Sequence, residues 1–186
     1  MNKIKSEWCL FLDRDGVINK RMPGDYVKTW DEFIFLPQVL ITLKKLKPFF
    51  KYIFIVTNQQ GVGKGLMTLS ELHSIHKSLK KVVRKNGGHI DEIFYCPDLS
   101  NTNSTCRKPE IGMGLQAKKK YPSVDFGKSI LVGDSSSDIA FGKNLKMITI
   151  FIETIHEQKS PRADYSVRNL HEFYLTFVSK ISKNIL

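Results

Sequence analysis

The spacing of apolar residues alternates between two patterns along the chain. Short runs rich in β-branched and aromatic residues predict six strands, at residues 8–12, 52–56, 90–95, 130–132, 147–151 and 165–167. Longer amphipathic stretches predict five helices, at residues 39–47, 69–85, 114–120, 137–144 and 170–182. This β-α-β-α order is typical of an α/β fold in which helices cover both faces of a mostly parallel sheet. No repeat or linker interrupts it, so we predict one domain over residues 1–186.

Some local features refine this outline. Residues 19–35 contain Pro-Gly-Asp and are expected to form a short hairpin over the end of the first strand, whereas residues 96–111 read as a polar loop. Ser70 is the predicted N-cap of the longest helix. His73 and His76 lie three residues apart on that helix, a spacing that fits a polar helix face better than a metal site, since no third ligand accompanies them.

Charge and composition narrow the classes of partner. The net charge of +11 favours anionic partners: phosphorylated metabolites, nucleic acid or an anionic membrane. The lysines are spread over predicted helices without interleaved aromatic residues, so we expect no nucleic acid partner. No apolar run approaches the length of a membrane span, and residues 1–7 do not resemble a signal peptide. Three cysteines are too few for a secreted disulfide scaffold, which indicates a cytoplasmic protein. We expect a monomer, because no apolar stripe remains for a partner.

Polar side chains follow the first two predicted strands. Asp13 and Asp15 come directly after the first strand, where one carboxylate can act as a nucleophile and its neighbour can transfer a proton. Carboxylates are also hard oxygen ligands suited to Mg²⁺. Thr57 and Asn58 follow the second strand, where a hydroxyl and an amide can hold phosphate oxygens. Taken singly, each of these residues fits a turn or a helix cap equally well.

Two further clusters complete the set of candidate residues. Arg107 and Lys108 are adjacent cations. Lys108 could neutralise a phosphoryl group, and the guanidinium of Arg107 could bind a substrate oxygen. A surface Arg-Lys pair is nevertheless common without function. Asp134 follows the fourth strand and would complete a Mg²⁺ site with Asp13. Asp138 would begin the next helix and orient its neighbours, or would only supply a favourable charge at the helix N-terminus.

Together Asp13, Asp15, Thr57, Lys108 and Asp134 resemble, in this order, the four motifs of the haloacid dehalogenase superfamily of phosphatases. The resemblance covers nearly the whole chain. It implies a three-layer α/β/α Rossmann-like fold with Mg²⁺ at the edge of the sheet. It further implies that Asp13 attacks phosphorus and that Asp15 protonates the leaving alcohol and then activates water.

The same resemblance assigns the remaining roles. Thr57 and Lys108 would stabilise the transferring phosphoryl group, and Mg²⁺ would be held by Asp13, the backbone carbonyl of Asp15, and Asp134. Asn58 and Arg107 would contact the substrate, and Asp138 would support its neighbours. This set of calls comprises catalytic, metal-binding, substrate-binding and supporting residues, namely Asp13, Asp15, Thr57, Asn58, Arg107, Lys108, Asp134 and Asp138.

Longer motifs resemble one branch of the superfamily, the heptose-1,7-bisphosphate 7-phosphatases and histidinol-phosphatases, which lack a separate cap domain. They are Phe-Leu-Asp-Arg-Asp-Gly-Val-Ile-Asn from residue 11, Thr-Asn-Gln-Gln-Gly-Val from residue 57 and Cys-Arg-Lys-Pro from residue 106. The resemblance implies a phosphorylated small-molecule substrate and removal of the 7-phosphate of D-glycero-D-manno-heptose 1,7-bisphosphate. That reaction belongs to the synthesis of nucleotide-activated heptose for surface polysaccharide.

One departure from the branch concerns its structural zinc loop, C-x-H followed by C-x-C-R-K-P. Asp98 stands where the histidine would be, and Ser104 replaces one cysteine, so only Cys96 and Cys106 remain of the usual four ligands. We therefore expect no structural zinc, although Cys96, Asp98 and Cys106 with one outside ligand is an open alternative. Other open alternatives are a histidinol-phosphate phosphatase, a nucleic-acid 3′-phosphatase and a non-catalytic nucleic-acid-binding module.

Overall fold

The computed structural model describes residues 7–153 and 162–178. Within these residues, six strands form one sheet in the order β3-β2-β1-β4-β5-β6, and every strand pairing in it is parallel. The strands are β1 (Cys9–Leu12), β2 (Tyr52–Asn58), β3 (Glu92–Cys96), β4 (Ser129–Gly133), β5 (Ile148–Ile152) and β6 (Tyr165–Val167). The predicted α/β class with a mostly parallel sheet is confirmed.

Helices connect the strands and cover both faces of the sheet. They are α1 (Val39–Leu46), the single turn α2 (Gln60–Gly63), α3 (Leu69–Lys85), α4 (Gly112–Lys120), α5 (Ser136–Asn144) and α6 (Leu170–Phe173), with a π-helical turn at Tyr174–Val178 after α6. The last predicted helix extends to residue 182, and its final part lies outside the described residues. Among the described helices, none is both long and apolar enough to cross a membrane.

Strand β1 lies at the centre of the molecule and is fully buried. Because successive side chains of a strand point to opposite faces, its four residues divide between two cores. Leu10 and Leu12 pack into the core that also contains residues of α1, α3 and α6. Cys9 and Phe11 pack into the core beneath α4 and α5. This two-sided burial explains why the strand reads as a continuous apolar run.

The N-terminus of α3 is capped by Thr68, and the prediction of Ser70 is wrong. The Thr68 hydroxyl accepts a hydrogen bond from the Glu71 backbone N–H, and the Glu71 side chain accepts one from the Thr68 backbone N–H. This reciprocal pair is a capping box, which requires Glu three residues after the cap. Ser70 lies two positions further on, inside the helix, where its hydroxyl cannot satisfy the first free N–H groups.

The segment of residues 19–35 is a loop closed at its base, and the predicted hairpin is wrong. One antiparallel bridge joins Asn19 to Phe35, and the Lys20 N–H donates to the Ile34 carbonyl, but no strand extends from this bridge. Aromatic side chains pack together where a hairpin would have a ladder of backbone hydrogen bonds. The ring centroids of Phe33 and Phe35 lie 5.1 Å apart. We call this segment the flap.

We expect Thr68→Ala to lower the free energy of unfolding by about 1 kcal/mol, because the first turn of α3 loses its cap. The matched substitution Ser70→Ala should change it by less than about 0.5 kcal/mol, since Ser70 is exposed and caps nothing. Urea unfolding followed by circular dichroism measures both values at constant slope. Equal effects of the two substitutions would contradict the assigned cap.

Candidate active site

The candidate residues converge at the carboxyl ends of β1, β2 and β4. The strand order reverses here, since β1 lies between β2 and β4, and such a switch point forms a crevice in an open α/β sheet. The crevice is a cleft of about 530 Å³. Of the eight predicted site residues, seven line it, namely Asp13, Asp15, Thr57, Asn58, Arg107, Lys108 and Asp138. Asp134 lies next to it, directly after β4.

Lys108 is the buried centre of the site. Its ammonium donates to Asp13 Oδ1 and to the Val56 carbonyl, both at 2.6 Å, and lies 2.6 Å from Asp138 Oδ1. Burial alone would lower the pKa of Lys108, but the Asp13 and Asp138 carboxylates outweigh it and raise this pKa above its ordinary value. Lys108 is therefore a permanent cation with three oxygen atoms at 2.6 Å from its ammonium nitrogen.

Three buried carboxylates face one another beside this cation. Oxygen atoms of Asp13, Asp134 and Asp138 lie within 4.8 Å of one another. Burial, opposed by Lys108 but helped by repulsion from Asp138 and Asp15, raises the pKa of Asp13 to about 6. Burial and repulsion from Asp13 and Asp138 raise the pKa of Asp134 to about 8. Three carboxyl groups thus surround one buried ammonium, and hard oxygen donors of this kind suit a small divalent cation.

Asp15 has a different environment from Asp13. Its carboxylate accepts hydrogen bonds from three side chains: Arg14 at 3.0 and 3.1 Å, Asn19 at 2.9 Å and Gln59 at 2.8 Å. Burial would raise the pKa of Asp15, but the Arg14 charge and these hydrogen bonds lower it below its usual value. The pKa of Asp13 is therefore raised and the pKa of Asp15 is lowered from the same ordinary value, although the two residues are only two positions apart.

The Asp138 side chain caps the N-terminus of α5 and also contacts Lys108 in the site. Asp138 is the third residue of α5, and its Oδ2 accepts from the backbone N–H and the hydroxyl of the N-cap Ser135. Its Oδ1 faces Lys108. Gly133 permits this position, because a Cβ there would lie 2.3 Å from the Asp138 Cβ. The prediction that Asp138 begins this helix is off by two residues, because α5 begins at Ser136. The capping box with Ser135 fixes the Asp138 side chain.

The second strand contributes two differently engaged residues. Thr57 is buried, and its hydroxyl accepts from Gln59 Nε2 at 2.8 Å. Asn58 uses both ends of its amide on the backbone of Lys108, accepting from the N–H at 2.9 Å and donating to the carbonyl at 3.2 Å. Arg107 lines the cleft and donates to the Asp98 carbonyl at 3.4 Å. Asn58 therefore positions Lys108, and its predicted contact with substrate stays a prediction.

Several residues of the site do not emerge from sequence reasoning. Arg21 pairs with Asp134 across 113 residues, and Gln59 bridges Thr57 and Asp15. The prediction of a polar helix face at His76 is wrong, because this residue is buried and its ring nitrogen lies 3.3 Å from Arg14. Burial and the Arg14 charge lower the pKa of His76 to about 3. The single available signal was the position of Arg21 in the flap, six residues after Asp15.

The loop of residues 96–111 contains a disulfide that the sequence does not predict. Cys96 and Cys106 are bonded, with Cα atoms 5.5 Å apart, whereas Cys9 is a buried free thiol. One pair among three cysteines lacks the density of a disulfide scaffold, so composition gave no signal for it. Asp98 lies close to both sulfur atoms. Disulfide sulfurs are not thiolate ligands, and the lack of a structural zinc stays a prediction.

Comparison with known proteins agrees with this geometry. Residues 9–171 match the model of a family described as polynucleotide kinase 3 phosphatase. The D-glycero-alpha-D-manno-heptose-1,7-bisphosphate 7-phosphatase of Mycobacterium bovis is 44% identical over 75% of this chain and 73% of its own length. The D-glycero-beta-D-manno-heptose-1,7-bisphosphate 7-phosphatase of Helicobacter pylori is 31% identical over 91% of this chain and 96% of its own length.

A solved structure shows the same fold. The D,D-heptose 1,7-bisphosphate phosphatase of B. bronchiseptica, crystallised with magnesium and phosphate, superimposes with a TM-score of 0.84 at 28% identity. The match covers 92% of this chain and 98% of that one. The three-layer α/β arrangement, the convergence of four motifs at one sheet edge and these relatives lead to one assignment. The chain belongs to the haloacid dehalogenase superfamily, in the family of the heptose-1,7-bisphosphate 7-phosphatases.

Proposed function

We propose that this chain is a Mg²⁺-dependent phosphatase that removes the 7-phosphate of D-glycero-D-manno-heptose 1,7-bisphosphate through an aspartyl-phosphate at Asp13. One observation carries the proposal: buried Lys108 fixes Asp13 and Asp138 beside Asp134 at the switch point of the sheet. The names of the relatives support the substrate. The product would supply the synthesis of nucleotide-activated heptose for surface polysaccharide.

In the first step, an Asp13 oxygen attacks phosphorus while the bond between phosphorus and the C7 oxygen breaks. Lys108 already binds Asp13 Oδ1, so it orients the nucleophile and supplies positive charge where the phosphoryl group arrives. Thr57 would contact an equatorial phosphoryl oxygen, and Asp15 gives its proton to the departing alkoxide. Most of the acceleration then comes from positioning and electrostatic stabilisation.

In the second step, water attacks phosphorus and releases inorganic phosphate and the free Asp13 carboxylate. Asp15 accepts the proton of that water, which restores the acid used in the first step. The hydrogen bonds from Arg14, Asn19 and Gln59 favour the ionised form of Asp15, which is the form that a base requires. The acid role in the first step therefore requires that the negative charge of the bound phosphate raises the pKa of Asp15. Covalent catalysis thereby divides one difficult displacement between two easier ones.

The proposed metal ligands are Asp13, the backbone carbonyl of Asp15, and Asp134. The buried excess of carboxylate oxygen fits Mg²⁺, and Gly16 allows Asp134 its position, because a Cβ there would lie 1.9 Å from Asp134 Oδ2. When bound, Mg²⁺ screens the repulsion between the Asp13 carboxylate and the phosphate dianion.

The description of the matching family model keeps a nucleic-acid 3′-phosphatase as the second candidate. Both candidates share the chemistry at Asp13 and differ in what the cleft accepts beyond the phosphate. The positive net charge suits either anion. We favour the sugar bisphosphate because the named relatives in both anomeric series act on it. A monomer in the cytoplasm that binds neither nucleic acid nor membrane remains our prediction from sequence.

A substrate panel tests the proposal. We expect Mg²⁺-dependent phosphate release from heptose 1,7-bisphosphate, in either anomer, to exceed release from histidinol phosphate and from a 3′-phosphorylated oligonucleotide. Asp13→Asn should lower the heptose rate at least about a thousandfold, because the nucleophile is lost. The matched control Asp31→Asn, on an exposed flap residue, should leave it unchanged. Preference for the oligonucleotide would identify a nucleic-acid 3′-phosphate as the substrate instead of the sugar bisphosphate. Full activity of Asp13→Asn would refute the mechanism.

Asn58 and Arg107 should separate in their kinetic effects. Asn58→Ala should lower kcat about tenfold with little change in KM, because Lys108 loses the amide that holds its backbone. Arg107→Ala should instead raise KM for the bisphosphate about tenfold, since a charge-assisted contact with substrate is lost. Steady-state kinetics on purified variants distinguishes them. A rise in KM with Asn58→Ala at unchanged kcat would restore the direct substrate contact for Asn58.

Metal binding should release protons at neutral pH. Burial and the neighbouring carboxylates raise the pKa of Asp134 to about 8, so near pH 7 this group must lose a proton before it binds Mg²⁺. Titration calorimetry in two buffers of different ionisation enthalpy should report release of about one proton near pH 7 and close to none near pH 9. The affinity should rise with pH up to about 8. Identical heats in the two buffers near pH 7 would contradict the raised pKa of Asp134.

A further inference from the structure

Arg21 in the flap holds atoms that the proposed metal would also bind. Its Nη2 lies 2.6 Å from Asp134 Oδ1 and 3.5 Å from the backbone carbonyl of Asp15. The two partners differ in exposure, since the Asp134 side chain is 2% exposed and that of Arg21 is 51% exposed. A half-exposed guanidinium on a loop can leave, whereas the buried carboxylate is fixed directly after β4.

Arg21 borders both cavities that meet at the site. It lines the main cleft together with Asp13 and Lys108, and it lines the neighbouring cavity together with Asp134. A metal ion held by Asp134 and the Asp15 carbonyl would therefore lie close to the guanidinium that contacts both. Like charges repel at such distances.

We propose that Arg21 is an exchangeable counter-cation that competes with Mg²⁺ for Asp134 and, once displaced, turns to the substrate phosphate in the cleft. The proposal rests on the metal ligands given under the proposed function. Arg21 starts within the cleft wall, beside Asp13, so a rotation of its side chain suffices to reach a phosphoryl group there. A guanidinium also matches phosphate oxygens in geometry as well as charge. Metal binding and phosphate binding would then favour each other.

The first measurement uses Mg²⁺ alone, without substrate. Titration calorimetry at one fixed pH compares the wild-type chain with Arg21→Met. Loss of the competitor should tighten Mg²⁺ binding about fivefold, the size expected from one half-exposed ion pair. Lys20→Met is the matched control, because it removes the same charge from the neighbouring exposed residue. Its Mg²⁺ affinity should change less than twofold, as screened charges interact weakly.

The second measurement uses inorganic phosphate at saturating Mg²⁺. Arg21→Met should bind phosphate about fivefold more weakly than the wild-type chain, and Lys20→Met should bind it equally well. Circular dichroism and the unfolding midpoint establish that both variants fold. Tighter Mg²⁺ binding together with weaker phosphate binding is the pattern expected of an exchanging residue, and its absence in Lys20→Met excludes a general effect of lost positive charge.

Other outcomes are equally decisive. Unchanged or weaker Mg²⁺ binding by Arg21→Met would overturn the competition, and unchanged phosphate binding would overturn the exchange, while the proposed function would stand in both cases. Absence of Mg²⁺ binding by the wild-type chain would overturn the inference together with the metal site. The Asp134→Asn variant makes this distinction explicit, because it should lose Mg²⁺ affinity whether or not Arg21 competes.

Discussion

The ion pairs of Lys108 are the interaction on which the site depends. An ammonium group with 3% exposure is stable only where anions surround it, and here two carboxylates and one carbonyl do so. Removal of one partner from a buried pair typically costs about 3–5 kcal/mol, because it leaves a charge uncompensated. The same contacts join four parts of the chain: the ends of β1 and β2, the start of α5 and the loop before α4. The catalytic geometry and the packing of these parts are therefore one arrangement.

Close approach of the backbone makes this arrangement sterically possible. Gly16 has a φ of 99°, and its missing Cβ leaves room for Asp134, while Gly133 leaves room for Asp138. The carboxylates of Asp13, Asp134 and Asp138 can then lie close to one cation, although burial and mutual repulsion disfavour their charged forms. The rise in the pKa of Asp13 and Asp134 is the electrostatic consequence of this crowding. A protein that holds such a cluster needs cations, and Lys108, Arg21 and a divalent metal ion are three ways to supply them.

The sequence predicts the strands and the convergence of the candidate site residues well, because both depend on local patterns. An apolar run followed by polar residues marks each strand and its carboxyl end, and parallel strands bring those ends together. Sequence reasoning misses contacts between residues that are far apart in the chain and that no local pattern links. Examples are the contacts of Arg21 with Asp134 and of His76 with Arg14. Nothing in the helical periodicity of α3 distinguishes a buried histidine from one on a polar face. The cap of the same helix was predictable, since Glu71 stands three residues after Thr68.

A crystal structure with Mg²⁺ and beryllium fluoride would decide whether Asp13 is the nucleophile, because this complex mimics an aspartyl-phosphate. We expect beryllium bonded to a side-chain oxygen of Asp13, with Lys108 still between Asp13 and Asp138 and with Mg²⁺ on Asp134. It would also show the Arg21 guanidinium away from Asp134. Beryllium fluoride bonded to another residue, or a Lys108 that has left Asp13, would contradict the account.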